Sequence, residues 1–228
     1  MFLAVPDQYL AAVAAEVGEA EAFVHMSGAQ PLAVLGEHPR RGSLHPYQSF
    51  PVVRDAGAFE GALFAVDATD AALLEQLAAV ATQLKGFSRR VIDADRTLYH
   101  ASAVLGANLL VALAHEAAEV LGGAGFSRPD ALQALLPLMS GVLENLRREG
   151  LPDALIGPIR RGDAQTVARH LDALDAQHLP QAAGAYRMLG LSALELAIEA
   201  GLEAGPAQAI RMALTGTPAA TEREVQSS

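Results

Sequence analysis

The chain has 228 residues, a net charge of −10, no cysteine and 51% hydrophobic residues. That length allows one large domain or two small ones with an ample core, the missing cysteines exclude disulfides and thiolate metal sites, and the lack of a clustered basic run argues against a sequence-independent nucleic-acid binder or a basic membrane-surface role. Ala and Leu dominate and aromatics are few, so helix is expected as the majority structure.

Met1–Val5 reads as a buried strand ended by Pro6-Asp7. A helix follows, with Tyr9, Leu10, Val13 and Val17 on the helical period and Gly18 at its close. Ala22–Met26 is a second short strand, so the opening is strand, helix, strand, the pattern of a parallel βαβ unit. Pro31–Leu35 is expected as another crossover before Arg41–Pro46, and Tyr47–Phe50 with Pro51 as a loop leaving a strand end. Ala62–Asp67 is a further strand, followed by a helix from Asp70 to Leu84 whose leading Asp is a cap. Arg89–Ile92 is the last strand candidate.

From Asp93 the strand candidates disappear and helices are expected over 95–121, 128–148, 163–174, 179–200 and 206–213, with Pro129 at a helix start, Gly122-Gly123 at a stop and Pro137 as a kink. The expected domains are 1–92, 93–216 and a polar, disordered tail over 217–228. The helix opening at Asp95 is apolar nearly all round, through Leu98, Ala101, Val104, Leu105, Leu109, Val111 and Leu113, and such a helix is expected to be buried. His100 and Asn108 sit inside it, about 80° and 12 Å apart on a regular helix, on one broad face that a cleft can meet. Each either serves chemistry or satisfies a neighbouring helix. The apolar run over 101–114 is too short for a membrane span and holds Asn108, and the amino terminus lacks signal-peptide features, so a soluble cytoplasmic protein is expected.

No G-x-G-x-x-G occurs. A doubly wound sheet holds its nucleotide on such a turn after the first strand. The strands present read as the second half of that sheet, starting in its fourth strand, which normally pairs with strand one and is otherwise left as an apolar edge.

His25-x-Ser27-Gly28, then Gly42-Ser43-Leu44-His45-Pro46-x-Gln48-Ser49-Phe50, then Tyr99-His100 with Asn108, and later Gly157-Pro158-Ile159-x-Arg161-Gly162-Asp163 with His170-Leu171, together resemble the Rossmann-like proteins with a DUF2520 carboxy-terminal domain. The resemblance covers all but the tail. It implies an α/β partial Rossmann-like sheet followed by an all-α helical domain like the carboxy-terminal domain of 6-phosphogluconate dehydrogenase, and relatedness to pyrroline-5-carboxylate reductase and 2-dehydropantoate reductase. Some members are linked to ketopantoate reduction. Members begin with a nucleotide-binding half, and Leu3–Asp7 matches their fourth strand and the loop passing the cofactor, so either the start codon is misassigned or the chain is a remnant.

In the related β-hydroxyacid dehydrogenases a Lys and an Asn one helical turn apart act on the substrate carbonyl. Asn108 matches that Asn, but Val104 stands where the Lys is required, so the lysine mechanism does not carry over. His100, with a reference pKa near 6.5, is the nearby side chain suited to give a proton at neutral pH. The resemblance makes Val5, Pro6, His25, Ser27 and Gly28 the candidate contacts to NADP or NAD. His45, Gln48 and Arg161 are the candidate substrate contacts. His25 and His45 end strands, where α/β sheets place ligands, and loop anchoring is the competing role for both. Arg161 either grips a substrate carboxylate or locks a helix start with Asp163. Among the histidines no metal-ligand spacing is seen.

The leading function is an NAD(P)H-dependent reductase of a small carbonyl or imine substrate, with a ketopantoate-like compound as one candidate. The competing one is a non-catalytic dimeric helical module, or a truncated remnant that has lost cofactor binding. The related superfamily members pair through the helical domain, and Leu132, Leu135, Leu136, Leu138, Met139 and Leu143 cover more than one face of their helix, so a homodimer is expected, with no nucleic-acid or membrane partner.

Overall fold

The structure, a computed structural model, describes residues 1–216. The expected tail lies outside the described residues. Five strands form one sheet in the order β1-β2-β3-β4-β5: β1 (Phe2–Leu3), β2 (Phe23–His25), β3 (Arg41–Pro46), β4 (Leu63–Ala68) and β5 (Phe87–Arg90). The first three run parallel, with Leu3 opposite His25 and His25 opposite Ser43. β4 is antiparallel to β3, His45 facing Ala65, and β5 is parallel to β4, so the sheet is mixed. A long loop rather than a crossover helix joins β3 to β4, and that reverses the direction.

Local chemistry explains the elements. All three residues of β2 are buried because the strand lies between neighbours. Helix α1 (Leu10–Glu16) buries Leu10 and Ala14 with Leu3, Phe23 and Leu35. Helix α2 (Ala71–Gln83) starts where the Asp70 carboxylate accepts the Leu73 N–H at 2.9 Å, as its capping position predicts. Its Leu73, Leu77 and Ala81 recur every four residues and pack with Leu44, Phe64 and Val66 of the sheet. Each such buried leucine contributes roughly 1.5–3 kcal/mol.

The chain divides into two compact units, Met1–Leu110 and the residues from Val111 onward. Strands end at Arg90, near the compositional change at residue 93, while the division between units falls inside the following helical run. That run consists of α3 (Arg96–Ala103), a π-helical turn (Val104–Asn108) and α4 (Leu109–Gly123). After it come α5 (Arg128–Glu149), α6 (Ala164–Ala176), α7 (Pro180–Glu199) and α8 (Ala204–Thr215). In the second unit α6, α7 and α8 share a core that includes Val167, Leu171, Leu194, Ile210 and Leu214. Gly190 lets α7 meet α8, since a Cβ there would stand 2.6 Å from Leu214 Cδ2. A smaller cluster, Ala118, Ala131 and Leu135, joins α4 to α5. Ser127 caps α5 and Pro137 lies within it.

Five expectations change. Met1–Val5 pairs only through Phe2–Leu3, because Ala4-Val5-Pro6 turns away into a short 3-10 segment, and the last strand starts at Phe87 rather than Arg89. The apolar helix is not buried by its own chain: Leu98 is 77% exposed and Val111 71%, and Leu105 is exposed as well. By length and composition the run Asp93–Gly123 is also long and apolar enough to cross a membrane, longer than the 101–114 stretch implied, because the helix continues on both sides of it. Finally, the helix is not regular. The π turn accommodates an extra residue, which at roughly 100° per residue brings His100 and Asn108 nearer in rotation than the expected roughly 80°, but both residues are exposed and line no buried face.

Candidate active site

The parallel strands β1, β2 and β3 bring their carboxyl ends to one edge of the sheet, where α/β folds bind ligands. His25 ends β2, Ser43 lies opposite it in β3, and His45 follows two residues later on the same face of the strand. Ser27 folds the chain after β2: its hydroxyl donates to Asp7 Oδ2 at 2.8 Å and accepts from the Ala29 and Gln30 N–H groups at 3.1 and 3.0 Å. The Ser27 N–H donates to His25 Nδ1 at 3.2 Å, which fixes the His25 proton on Nε2. That Nε2 is fully buried and has no partner.

Helix α3 closes the site. Arg96, in its first turn, is 1% exposed. An ion of that kind persists in a core only when paired, and here Nε donates to Asp93 Oδ1 at 3.1 Å while Nη2 donates to the Ser43 hydroxyl. Asp93 also accepts the Leu32 N–H at 3.1 Å, tying α3 to the turn after β2. Nη1 of Arg96 is buried and unpaired, like His25 Nε2. One turn on, Tyr99 Oη lies 2.7 Å from His45 Nδ1, with the two rings edge-on at 86°. Tyr47 packs against Tyr99 at 5.1 Å between centroids and shares a 2.8 Å hydrogen bond with the Ser102 hydroxyl.

Burial first, then His100 and Arg96, holds the His45 pKa down at about 4. Burial and Arg96 do the same to His25, also to about 4. Both imidazoles are neutral near pH 7 despite the pull of Asp7, and, for His25, of Asp93. Burial and Tyr47 push the Tyr99 hydroxyl above its ordinary range, so it keeps its proton.

A family model, the domain of unknown function DUF2520, matches residues 62–193, more than half of the chain. The chain belongs to the DUF2520 family. No curated protein matches it. Among solved structures it is similar to protein TM1727 from Thermotoga maritima, at 25% identity and a TM-score of 0.76 over 87% of this chain and 78% of that one. It is also similar in fold to the putative NADP oxidoreductase BF3122 from Bacteroides fragilis, at 23% identity and a TM-score of 0.64 over 84% of this chain and 73% of that one. The five-stranded mixed sheet with its helices is therefore a Rossmann-like α/β fold followed by the expected helical domain.

Within this DUF2520 chain the candidate residues fare differently. His25, Ser27, Gly28 and His45 are brought together, with Gly28 against the His45 ring: a Cβ there would stand 2.8 Å from Cε1 and 2.9 Å from Nε2. Val5 packs into the α1 core and Pro6 is exposed at the head of the 3-10 turn. Gln48 is engaged in its own loop, donating to Ala58 O and accepting the Ser49 N–H. His100 is exposed rather than buried, yet near enough to His45 to shift it. Asn108 is exposed as well, and its side chain makes no hydrogen bond among the described residues. Arg161, in the second unit, leaves helix capping to Asp163, which accepts from Thr166 N and Oγ1 at 3.0 and 2.7 Å. Among the described residues no group of three or more His, Cys, Asp or Glu is placed to hold a metal.

Sequence alone assigns Arg96 no role, and Tyr99 enters it only within the Tyr99-His100 motif, without a role of its own. The available signal was the Asp93-x-x-Arg96 spacing at a helix start, an i,i+3 ion pair.

Proposed function

We propose that the protein is a reductase of a small carbonyl or imine compound, using NADP or NAD. The observation that carries this reading is the neutral His45–Tyr99 pair beside His100 at the carboxyl edge of a Rossmann-like sheet. The likeness in fold to the putative NADP oxidoreductase BF3122 agrees with it. The residues present fit the nicotinamide end of such a cofactor. His25 offers an unpaired Nε2–H, a donor suited to a carboxamide oxygen, and Gly28 leaves the adjoining wall free of a side chain. A bound reduced nicotinamide supplies hydride. His45 Nε2 donates a hydrogen bond to the substrate oxygen or nitrogen and polarises it, His100 delivers the proton, and Asn108 is a further substrate contact in this reading. Incubation with millimolar NADPH and a panel of small carbonyls and imines, followed by nicotinamide absorbance, tests it. Oxidation dependent on one of the panel is expected, and none with any member counts against it.

We also infer that the active form is a homodimer. Leu132, Leu136, Leu138 and Leu143 of α5 and Val111 of α4 are exposed, and a cavity of about 810 Å³ walled by Leu113, Leu155, Tyr186 and Leu189 opens in the same unit. Monomers seldom expose this much contiguous apolar surface. A second copy covers a helix face interrupted by His115, Glu116 and Glu119 better than lipid does, because those groups stay solvated at an interface rim. Sedimentation at micromolar concentration should give twice the mass of 23.7 kDa. A monomer alone would contradict the inference.

A further inference from the structure

We propose that Tyr99 holds His45 in the tautomer with its proton on Nε2, and that the site therefore selects a carbonyl oxygen and rejects a protonated imine. This rests on the reductase reading and narrows its substrate class.

The argument is a count of donors and acceptors. A neutral imidazole has one N–H and one bare nitrogen. Tyr99 keeps its phenolic proton, and among the described residues that hydroxyl has no hydrogen-bond partner but His45 Nδ1, at 2.7 Å. If Nδ1 carried the imidazole proton, the phenol would accept it and its own O–H would lack an acceptor among the described residues. With Tyr99 donating instead, both groups are satisfied and Nε2 carries the proton. Among the described residues Nε2 has no partner, and it is not among the fully buried unpaired atoms. Gly28 faces this edge of the ring without a side chain to cover it.

The surroundings have the same bias. The buried unpaired side-chain atoms among the described residues are His25 Nε2, Arg96 Nη1 and, at the far end of β3, Arg41 Nε. With His25 accepting on Nδ1, all three are donors, and two of them belong to the site. Of the carboxylates within reach, Asp93 is paired with Arg96 and accepts the Leu32 N–H, and Asp7 accepts from the neutral Ser27 hydroxyl and keeps its charge, so the selectivity rests on the donors. A protonated imine presents an N–H and a positive charge to His45 Nε2–H and the Arg96 guanidinium, whereas a ketone oxygen presents lone pairs. The proton inventory agrees. Hydride addition to a ketone carbon forms a C–H bond and sends the π pair to oxygen, which must take a proton, and exposed His100 is there to give it. Addition to an already protonated imine needs no proton.

Nitrogen-15 NMR of the histidine rings tests this without turnover. Wild type is expected to show His45 protonated on Nε2, and cyclopentanone in the millimolar range is expected to shift that resonance, whereas protonated pyrrolidine at equal concentration leaves it in place. Tyr99→Phe should mix the tautomers and cut the ketone-induced shift at least threefold while Tm stays close to wild type, a signature that a merely structural tyrosine would not give. If that variant does not fold, the wild-type tautomer decides. Protonation on Nδ1 in wild type, no shift with cyclopentanone, or an equal shift with pyrrolidine would overturn the proposal. Ketone binding without NADPH oxidation would instead count against the reductase reading and leave the selectivity standing.

Discussion

Replacing His45 with Phe is expected to lower kcat/KM for carbonyl reduction on the order of 10²-fold, the usual cost of losing one donor aimed at the oxygen where charge develops. The loss should fall mainly on kcat, because the hydrogen bond strengthens as the oxygen gains charge. Phe keeps the ring packing against Tyr99 and Gly28, so Tm should change by only a few degrees. His100→Gln should reduce turnover by at least about tenfold. Steady-state kinetics of both variants, beside thermal melts, separate the two roles. Unchanged kcat in His45→Phe would remove that residue from the chemistry.

The second large effect is on stability in mild acid. His25 is completely buried and its folded pKa of about 4 lies below the unfolded value near 6.5. Between those values the unfolded chain binds the proton and the folded one does not, so stability rises with pH across this window. The His25 contribution is complete above about pH 6.5 and is lost as pH falls to about 4, a change on the order of 3 kcal/mol. His45 adds to the same trend for the same reason. Denaturant unfolding at pH 7 and pH 4.5 should show the drop, and His25→Asn should show a smaller one. Identical slopes in the two proteins would mean that His25 is not the titrating group.

Much of the fold was legible because it depends on short-range pattern. The short apolar runs around Phe23 and Phe64 announce buried strands, Asp70 and Ser127 announce helix starts, and the end of strand-like composition near Asp93 announces the helical part. The site was legible only as a list of residues. His45 and Tyr99 are 54 residues apart, as far as a sequence shows, and their 2.7 Å bond is made by the register of β3 against the start of α3. Nothing in the sequence marks Arg96 as buried, since arginine is rarely buried unless paired and the pairing is not visible there. Its partners Asp93 and Ser43 come from different elements.

The helical run carries the opposite lesson. Leu98, Leu105 and Val111 demand cover, and the sequence pattern says so correctly, but it does not say whose surface provides it. Expecting cover from the same chain placed His100 and Asn108 in a buried cleft, where they are not. The π turn at Val104–Asn108 had only Gly106, a poor helix former, as a sequence mark.

The central claim is hydride transfer to carbon at the His45–Tyr99–His100 site. Incubating the protein with NADPH deuterated at the transferring position and a ketone, then weighing the product by mass spectrometry, tests it most directly. One deuterium on the former carbonyl carbon is expected with wild type, and much less with His45→Phe or His100→Gln. Absence of deuterium from the products of every ketone and imine offered to wild type would contradict the account.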